Sequence, residues 1–164
     1  MTLPLVPVSR RLAVAGLLAG LAGCASVPVA PTGPVGAVAL DCGVAERMVS
    51  DYRRAHGLPP VELDPALNAV AERQARAMAG ANLLSHEVAG ALPARLAAAG
   101  ADRRAPIENV SAGYSSFPAA LGGWERSPHH NENLLFPPVR RMGIAAAAAP
   151  GTRYKTFWSL VMTN

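Results

Sequence analysis

Charge is distributed very unevenly along this chain of 164 residues, and this limits which part of it can fold into a globular domain. The first 40 residues carry only two charged side chains, Arg10 and Arg11. From Asp41 onward, charged and apolar side chains recur at intervals typical of packed helices and strands. We therefore expect one folded domain over residues 41–164, which is long enough for a single hydrophobic core.

Composition restricts how that core can be built. The chain contains 33 Ala but only eight aromatic residues, so we expect a closely packed core of Ala, Val, Leu and Met. The net charge is +4, and it falls to about +2 if Arg10 and Arg11 are removed with a leader. The remaining basic residues do not cluster beyond pairs, so the sequence predicts no nucleic-acid partner.

The N-terminal segment has the order of residues typical of an export signal. Arg10 and Arg11 precede an apolar run over residues 12–21, and small residues follow it. A membrane-spanning helix needs about 20 apolar residues, roughly twice this length, whereas the run suits the apolar region of a signal peptide. We predict a signal peptide over residues 1–23. The paired arginines leave both the general secretory and the twin-arginine routes open.

The end of this segment resembles the lipobox of bacterial lipoprotein signals. Leu21, Ala22 and Gly23 precede Cys24, and small side chains suit the extended segment that the signal peptidase cleaves. The resemblance implies that the Cys24 thiol is alkylated by diacylglycerol and that fatty acyl chains such as palmitate anchor the mature protein in a membrane. Because Ala25 follows instead of Asp, we expect an outer-membrane lipoprotein facing the periplasm in a cell with two membranes.

The residues that follow the predicted anchor resemble a spacer. Residues 24–40 contain the lipidated cysteine and then a stretch rich in Pro and Gly, which we interpret as a linker. With Cys24 lipidated, Cys42 is the only thiol that remains, so the mature domain has no intrachain disulfide. We interpret Cys42 as a small buried side chain.

Apolar periodicity and turn residues predict an α+β domain. Asp64 is a favourable N-cap, and Pro65 suits the first position of a helix. Pro150 and Gly151 predict a turn between the last two strands. The predicted helices cover residues 41–56, 65–78, 92–99 and 118–126, and the predicted strands cover residues 107–114, 143–148 and 154–162. Pro59 and Pro60 predict extended backbone before residues 61–63.

Motifs of several well-known enzyme classes are absent from the sequence. It contains no phosphate-binding loop, no dinucleotide fingerprint, no CxxC pair and no GxSxG nucleophile elbow. The pentapeptide over residues 86–90 has Gly90 where a zinc peptidase motif needs its second histidine. The sequence therefore does not indicate a standard hydrolase.

Five short motifs, taken in order, resemble the bacterial branch of the CAP superfamily, named after cysteine-rich secretory proteins, antigen 5 and pathogenesis-related proteins. The resemblance extends from Cys42 to the C-terminus and implies a three-layer α-β-α sandwich, the fold of the SCP domain. The motifs are Arg53–Leu58, Leu63–Leu67, Ser85–His86, Glu108–Val110 and Trp124–Leu135.

The resemblance also implies a surface cleft in which two histidines and one acid come together. His86 matches the first histidine, Glu108 the first acid and His130 the second histidine. We expect the two imidazoles to lie close enough to share a metal or a water, so His86 and His130 are candidate ligands of a divalent metal such as Zn²⁺. His129 stands where the family has Gly, so both His129 and His130 remain candidates.

Three further residues are expected near the cleft through the same resemblance. Asn109 and Ser127 are predicted to line it, together with Glu108 and Trp124. Ser127 stands where many relatives carry a second acid, and that acid is absent here. We expect Trp124 to pack beneath the cleft as part of the core.

Two functions stay open at this point. The first is a lipid-anchored module of the cell envelope, monomeric and bound to the membrane through its anchor, that binds a small apolar ligand or an envelope component. The alternative is a metal-assisted, peptidase-like hydrolase that uses His86, Glu108 and His130 as catalytic residues. We favour the binding module because the predicted cluster lacks a nucleophile and a second acid.

Overall fold

The structure is a computed structural model, and it describes residues 34–101 and 104–164. The predicted signal peptide, Cys24 and most of the predicted linker lie outside these residues. Within the described part of the chain, no helix has the length and apolar character needed to cross a membrane.

A five-stranded sheet forms the middle layer of the domain. The strand order is β1-β4-β5-β3 with antiparallel neighbours, and β2 pairs with β4 in the parallel direction. The strands are β1 (Gly36–Ala37), β2 (Glu62–Leu63), β3 (Ile107–Ala112), β4 (Arg141–Ala149) and β5 (Lys155–Thr163).

Helices cover both faces of this sheet. One face packs against α1 (Cys42–Ala55), α4 (Phe117–Arg126) and α5 (Pro128–Leu134), and the other packs against α2 (Pro65–Ala81) and α3 (Leu92–Ala98). Successive strand residues point to opposite faces, so Leu160 joins the first core and Val161 the second. The predicted α+β class and the three-layer α-β-α sandwich are confirmed.

The alanine-rich strand β4 allows α2 to lie very close to the sheet. A Cβ atom on Gly143 would overlap the backbone of Leu67 and Asn68 in α2. The Asn68 side chain accepts a hydrogen bond from the backbone N–H of Ile144 at 2.9 Å, so this N–H of β4 has a partner from α2. The core therefore depends on small side chains at the contact between helix and sheet, as the composition predicts.

Helix caps follow the sequence closely. Asp41 accepts a hydrogen bond from the Val44 N–H, and Asp64 accepts bonds from the N–H groups of Ala66 and Leu67. Asn82 ends α2 in the left-handed conformation with φ of 49°.

Two elements were not predicted. Strand β1 lies inside the predicted linker and contributes only two residues to the sheet, too few for a periodic pattern. Helix α5 is seven residues long and begins at Pro128, and its polar sequence carries no apolar stripe. The folded domain thus begins before Asp41, since Val35, Val38 and Leu40 pack against its core.

Candidate functional site

The candidate residues lie around β3, the strand that forms one edge of the sheet. Glu108 and Asn109 are consecutive in this strand, so their side chains point to opposite faces. Glu108 contacts His86 in the loop after α2, and Asn109 contacts His130 in α5. One strand edge therefore positions segments from both helical layers.

Glu108 is buried, and four hydrogen bonds occupy its carboxylate. Its side chain is 2% exposed. Arg95 donates to Oε1 at 2.8 Å and to Oε2 at 3.0 Å, His86 Nδ1 lies 2.9 Å from Oε2, and Ser159 donates to Oε1 at 3.3 Å. Burial alone would raise the pKa of Glu108, but the bonds from His86 and Arg95 hold that pKa below its ordinary value. The carboxylate is therefore anionic at neutral pH, and its lone pairs are in use.

Arg95 is the site residue that the sequence analysis missed. Besides its paired bonds to Glu108, it donates from Nε to the Gly90 carbonyl at 2.8 Å and from Nη2 to the His86 carbonyl at 3.2 Å. It thus fixes the carboxylate and the backbone of the histidine loop together. A charged residue in a seven-residue helix normally suggests a solvated position, so the sequence held no signal for this role.

His86 presents one ring nitrogen to Glu108 and leaves the other available. Its side chain is 48% exposed. Because a carboxylate can only accept, Nδ1 carries the hydrogen, and Nε2 is the atom left for a ligand. The hydrogen bond to Glu108 raises the pKa of His86 against the opposing effect of burial.

His130 is held through α5 and Asn109, and not through Glu108. Its Nδ1 is 2.9 Å from the Ser127 hydroxyl, and its carbonyl accepts from Asn109 Nδ2 at 3.0 Å. Burial lowers the pKa of His130, and the positive charges of His129 and His86 lower it further.

The other predicted residues lie beneath the cleft or away from it. Asn109 is fully buried, and its Oδ1 accepts from Asn133 at 2.9 Å, so it supports α5 instead of facing solvent. Trp124 is 1% exposed and packs in the core against Phe117 with ring centroids 6.3 Å apart. His129 is 80% exposed, with Nδ1 4.0 Å from Glu132.

The side chains of the site offer fewer ligand atoms than a catalytic zinc centre uses. His86 and His130 both have a hydrogen-bonded Nδ1, the arrangement that orients histidine ligands. Glu108 fixes the His86 tautomer and leaves its Nε2 as a donor, whereas the Ser127 hydroxyl can donate to His130 Nδ1 or accept from it. Catalytic zinc takes three protein ligands, and the Glu108 carboxylate is already committed to Arg95 and His86. Among the described residues, no group of three or more His, Cys, Asp or Glu side chains is placed to hold a metal. The described residues therefore supply no third ligand of these types, and the two-histidine metal site expected from the sequence stays a prediction.

A cavity of about 320 Å³ lies at the opposite edge of the sheet. It is bounded by the segment over residues 37–42, the outer face of α2 and the middle of β4. Val38, Leu40 and Ile144 form an apolar wall, and Arg76 lies among the polar residues that complete the lining. The half-buried thiol of Cys42 also lines this cavity, and burial raises its pKa, so it is protonated at neutral pH.

Comparison with known protein families places most of the chain in one of them. The model of the family described as "Cysteine-rich secretory protein family" matches residues 46–162. No curated protein matches the chain.

Solved structures of bacterial proteins share the fold. An extracellular protein containing an SCP domain from Bacillus anthracis is 26% identical, with a TM-score of 0.64 over 74% of this chain and 40% of its own. An outer surface protein from Borrelia burgdorferi is 16% identical, with a TM-score of 0.66 over 77% of this chain and 96% of its own. A cysteine-rich secretory protein from Staphylococcus aureus is 19% identical, with a TM-score of 0.57 over 73% of this chain and 36% of its own. The chain thus spans less than half the length of the Bacillus and Staphylococcus proteins.

Proposed function

Because the chain belongs to the cysteine-rich secretory protein family, we propose that it is a binding module of the bacterial cell envelope, held to a membrane by lipid on Cys24, and not a hydrolase. The similarity to extracellular and outer surface proteins of other bacteria supports an envelope location. The anchor and the ligand are the parts of this proposal that need direct tests.

The state of Glu108 is the observation that carries the proposal. General-base catalysis needs a carboxylate that can accept a proton from substrate or water, and metal-assisted hydrolysis needs a third ligand. The four hydrogen bonds on Glu108 leave neither capacity in place. Two imidazoles that are each oriented through Nδ1 support the recognition of a polar group instead.

An apolar ligand fits the opposite edge of the sheet better than the cleft. The cavity beside β4 has a volume within the range of small-ligand sites and an apolar wall from Val38, Leu40 and Ile144. Glu72 and Arg76 also line it, and their side chains are exposed and only loosely paired at 3.8 Å. We therefore assign an apolar ligand to this cavity. A polar envelope group is assigned separately to the histidines at the other edge of the sheet.

Lipidation is tested by mass spectrometry of the N-terminal peptide. We expect the mature chain to begin at Cys24 with diacylglycerol and acyl mass, and we expect Cys24→Ala to accumulate as an unprocessed precursor. Membrane fractionation then reports whether the lipoprotein sorts to the outer membrane. A mature chain that begins elsewhere and carries no lipid would contradict the anchor.

Ligand binding is tested with dodecanoate as the probe. The Cys42 thiol lies in the cavity wall, so a bound chain should slow its alkylation by iodoacetamide, whereas His86→Ala, in the cleft, should leave this protection unchanged. Leu40→Trp, which fills the cavity, should abolish it. Alkylation at the same rate with and without dodecanoate would contradict the assignment of an apolar ligand to the cavity.

Turnover distinguishes the binding module from the hydrolase. We expect the purified protein to hydrolyse neither p-nitrophenyl acetate nor casein above background, with or without Zn²⁺. Activity that His130→Ala and Glu108→Gln both abolish would favour the hydrolase instead.

A further inference from the structure

One end of the domain combines the start of the described chain with several exposed side chains. Strand β1 pairs with Ala147 and Ala148 at the end of β4, and Val35 packs there in the core cluster that contains Met78 and Ala149. The turn between β4 and β5 and the C-terminal end of α2 lie at this same end. The 33 residues that precede the described chain therefore join the domain here.

Two adjacent leucines are exposed at this end. Leu83 is 50% exposed and Leu84 is 41% exposed, and Val44 is the remaining large apolar side chain of comparable exposure in the described residues. The left-handed conformation of Asn82 turns the chain out of α2, and the Leu83 N–H donates to the Met78 carbonyl at 3.1 Å. The helix cap thus fixes the leucines outside the core, although isolated exposed leucines are common on protein surfaces.

Basic and aromatic side chains lie in the turn between β4 and β5. Arg153 and Lys155 are exposed, and within the described residues neither belongs to an ion pair. The Arg153 guanidinium lies 5.5 Å from the centre of the Tyr154 ring, and that ring packs on the core residue Phe157. The loop over residues 82–91 contributes one acidic side chain, Glu87.

We infer that this end of the domain rests on an anionic lipid bilayer, and we name it the basal surface, defined by Leu83, Leu84, Arg153, Tyr154 and Lys155. The leucines suit insertion among acyl chains, the tyrosine suits the interface, and the two cations suit lipid phosphates. The inference rests on the proposed anchor, because a tether that joins the domain at this end brings this surface to the bilayer.

The tether length is compatible with such a contact. Pro34 is the tenth residue after Cys24, and a proline-rich chain extends by about 3.1 Å per residue, which gives roughly 30 Å. The domain can therefore reach the headgroups without straining the linker. Because His86 follows Leu84 by two residues, the loop that carries the cleft histidine would then lie beside the lipid surface.

The orientation is measured on the full lipoprotein in vesicles of phosphatidylethanolamine and phosphatidylglycerol that contain a lipid-borne nitroxide quencher. With Cys42→Ala as background, a fluorophore is placed at Leu84→Cys or, as the matched control, at Glu62→Cys. Glu62 is exposed and pairs with the first residue of β4, at the opposite end of the sheet. We expect the lipid to quench the first probe severalfold more than the second, because residue 84 lies on the surface that faces the bilayer and residue 62 lies at the far end of the sheet.

Charge reversal provides a second matched pair. Arg153→Glu should reduce quenching of the probe at residue 84 by severalfold, and Arg54→Glu, in the last turn of α1, should leave it unchanged. Equal quenching at residues 84 and 62 in a protein whose Cys24 carries lipid would overturn the basal surface and leave the anchor intact.

Lipid mass on Cys24 is measured on the same samples, so the two proposals can fail separately. If that mass is absent, the anchor is wrong, and the labelled protein is added to vesicles from solution. Selective quenching at residue 84 then still supports the basal surface, and its absence overturns it.

Discussion

Two of the arginines that the structure describes are buried, and their surroundings differ completely. Arg53, in α1, is fully buried and donates to four backbone carbonyls, those of Pro59, Leu134, Phe136 and Val139, at 2.7–3.2 Å. Arg95, in α3, is buried to a similar degree but pairs with the Glu108 carboxylate. One guanidinium thus has neutral partners, whereas the other has a counter-charge.

The difference separates structural stabilisation from control of the site. Arg53 holds the loop after α1 against the segment that follows α5. Within the described part of the chain, its hydrogen bonds all go to backbone carbonyls. Arg95 keeps Glu108 anionic, and Glu108 in turn fixes the hydrogen on Nδ1 of His86. The same side chain therefore supports the fold at one position and sets the state of a histidine at the other.

Arg95→Met should have the largest effect, because it leaves a buried carboxylate without its counter-charge. We expect the free energy of unfolding to fall by roughly 3–5 kcal/mol at neutral pH, as measured by urea denaturation. Glu108→Gln in the same chain should recover part of this loss, because it removes the unpaired charge. If the double variant is less stable than Arg95→Met alone, the loss does not come from the buried charge.

Arg53→Met should have a smaller effect, of a different kind. It leaves four carbonyls without donors, and water can reach some of them, so we expect a loss of roughly 2–4 kcal/mol. The losses of stability caused by Arg53→Met and Glu108→Gln should add to within about 0.5 kcal/mol in the double variant, because the two residues share no hydrogen-bond partner. Rescue of Arg53→Met by Glu108→Gln would show that the two arginines are coupled and would break the comparison.

The smallest effect concerns pH. The pKa of His86 is raised in the folded state. Its contribution to the free energy of unfolding is therefore fully present below the unfolded pKa of about 6.5 and is lost as pH rises through the folded pKa. His86 is half exposed, so we expect this loss to be less than about 1 kcal/mol.

The pH effect is checked by denaturation at a series of pH values, with His86→Gln as the control that should remove it.

The lowered pKa of Glu108 has the opposite effect on stability. Its contribution to the free energy of unfolding is present above the unfolded pKa of about 4.3 and is lost as pH falls through the folded pKa. Arg53→Met should shift the whole stability curve without changing its slope. A changed slope would contradict the assignment of a purely structural role to Arg53.

The sequence predicted the elements whose ends carry local signals. Asp64 and Pro65 begin α2 as expected, and the turn at Pro150 and Gly151 joins the last two strands. Strand β1 depends on pairing with Ala147 and Ala148, more than a hundred residues away, and a two-residue strand has no period of its own.

The site was predicted to a lesser extent. His86, Glu108 and His130 were selected through resemblance to a family, and in the structure His86 bonds to Glu108 of β3 whereas His130 is held through Asn109, the next residue of that strand. The pairing of Glu108 with Arg95 was not predicted, because Arg95 comes from another element of the fold. The burial of Glu108 and its pairing with Arg95 depend on tertiary packing, which the residue pattern of β3 alone does not predict.

The adjacency of Glu108 and Asn109 has a thermodynamic consequence. One peptide unit connects the two side chains that hold the histidine loop on one side of the sheet and α5 on the other. A ligand bound to both imidazoles would therefore connect the helices on the two faces of the sheet. Its binding free energy would then add to the free energy of unfolding of the whole domain. The amide protons around this link should then exchange with solvent more slowly when the cleft is filled, so occupancy can be followed by hydrogen exchange before the ligand is identified.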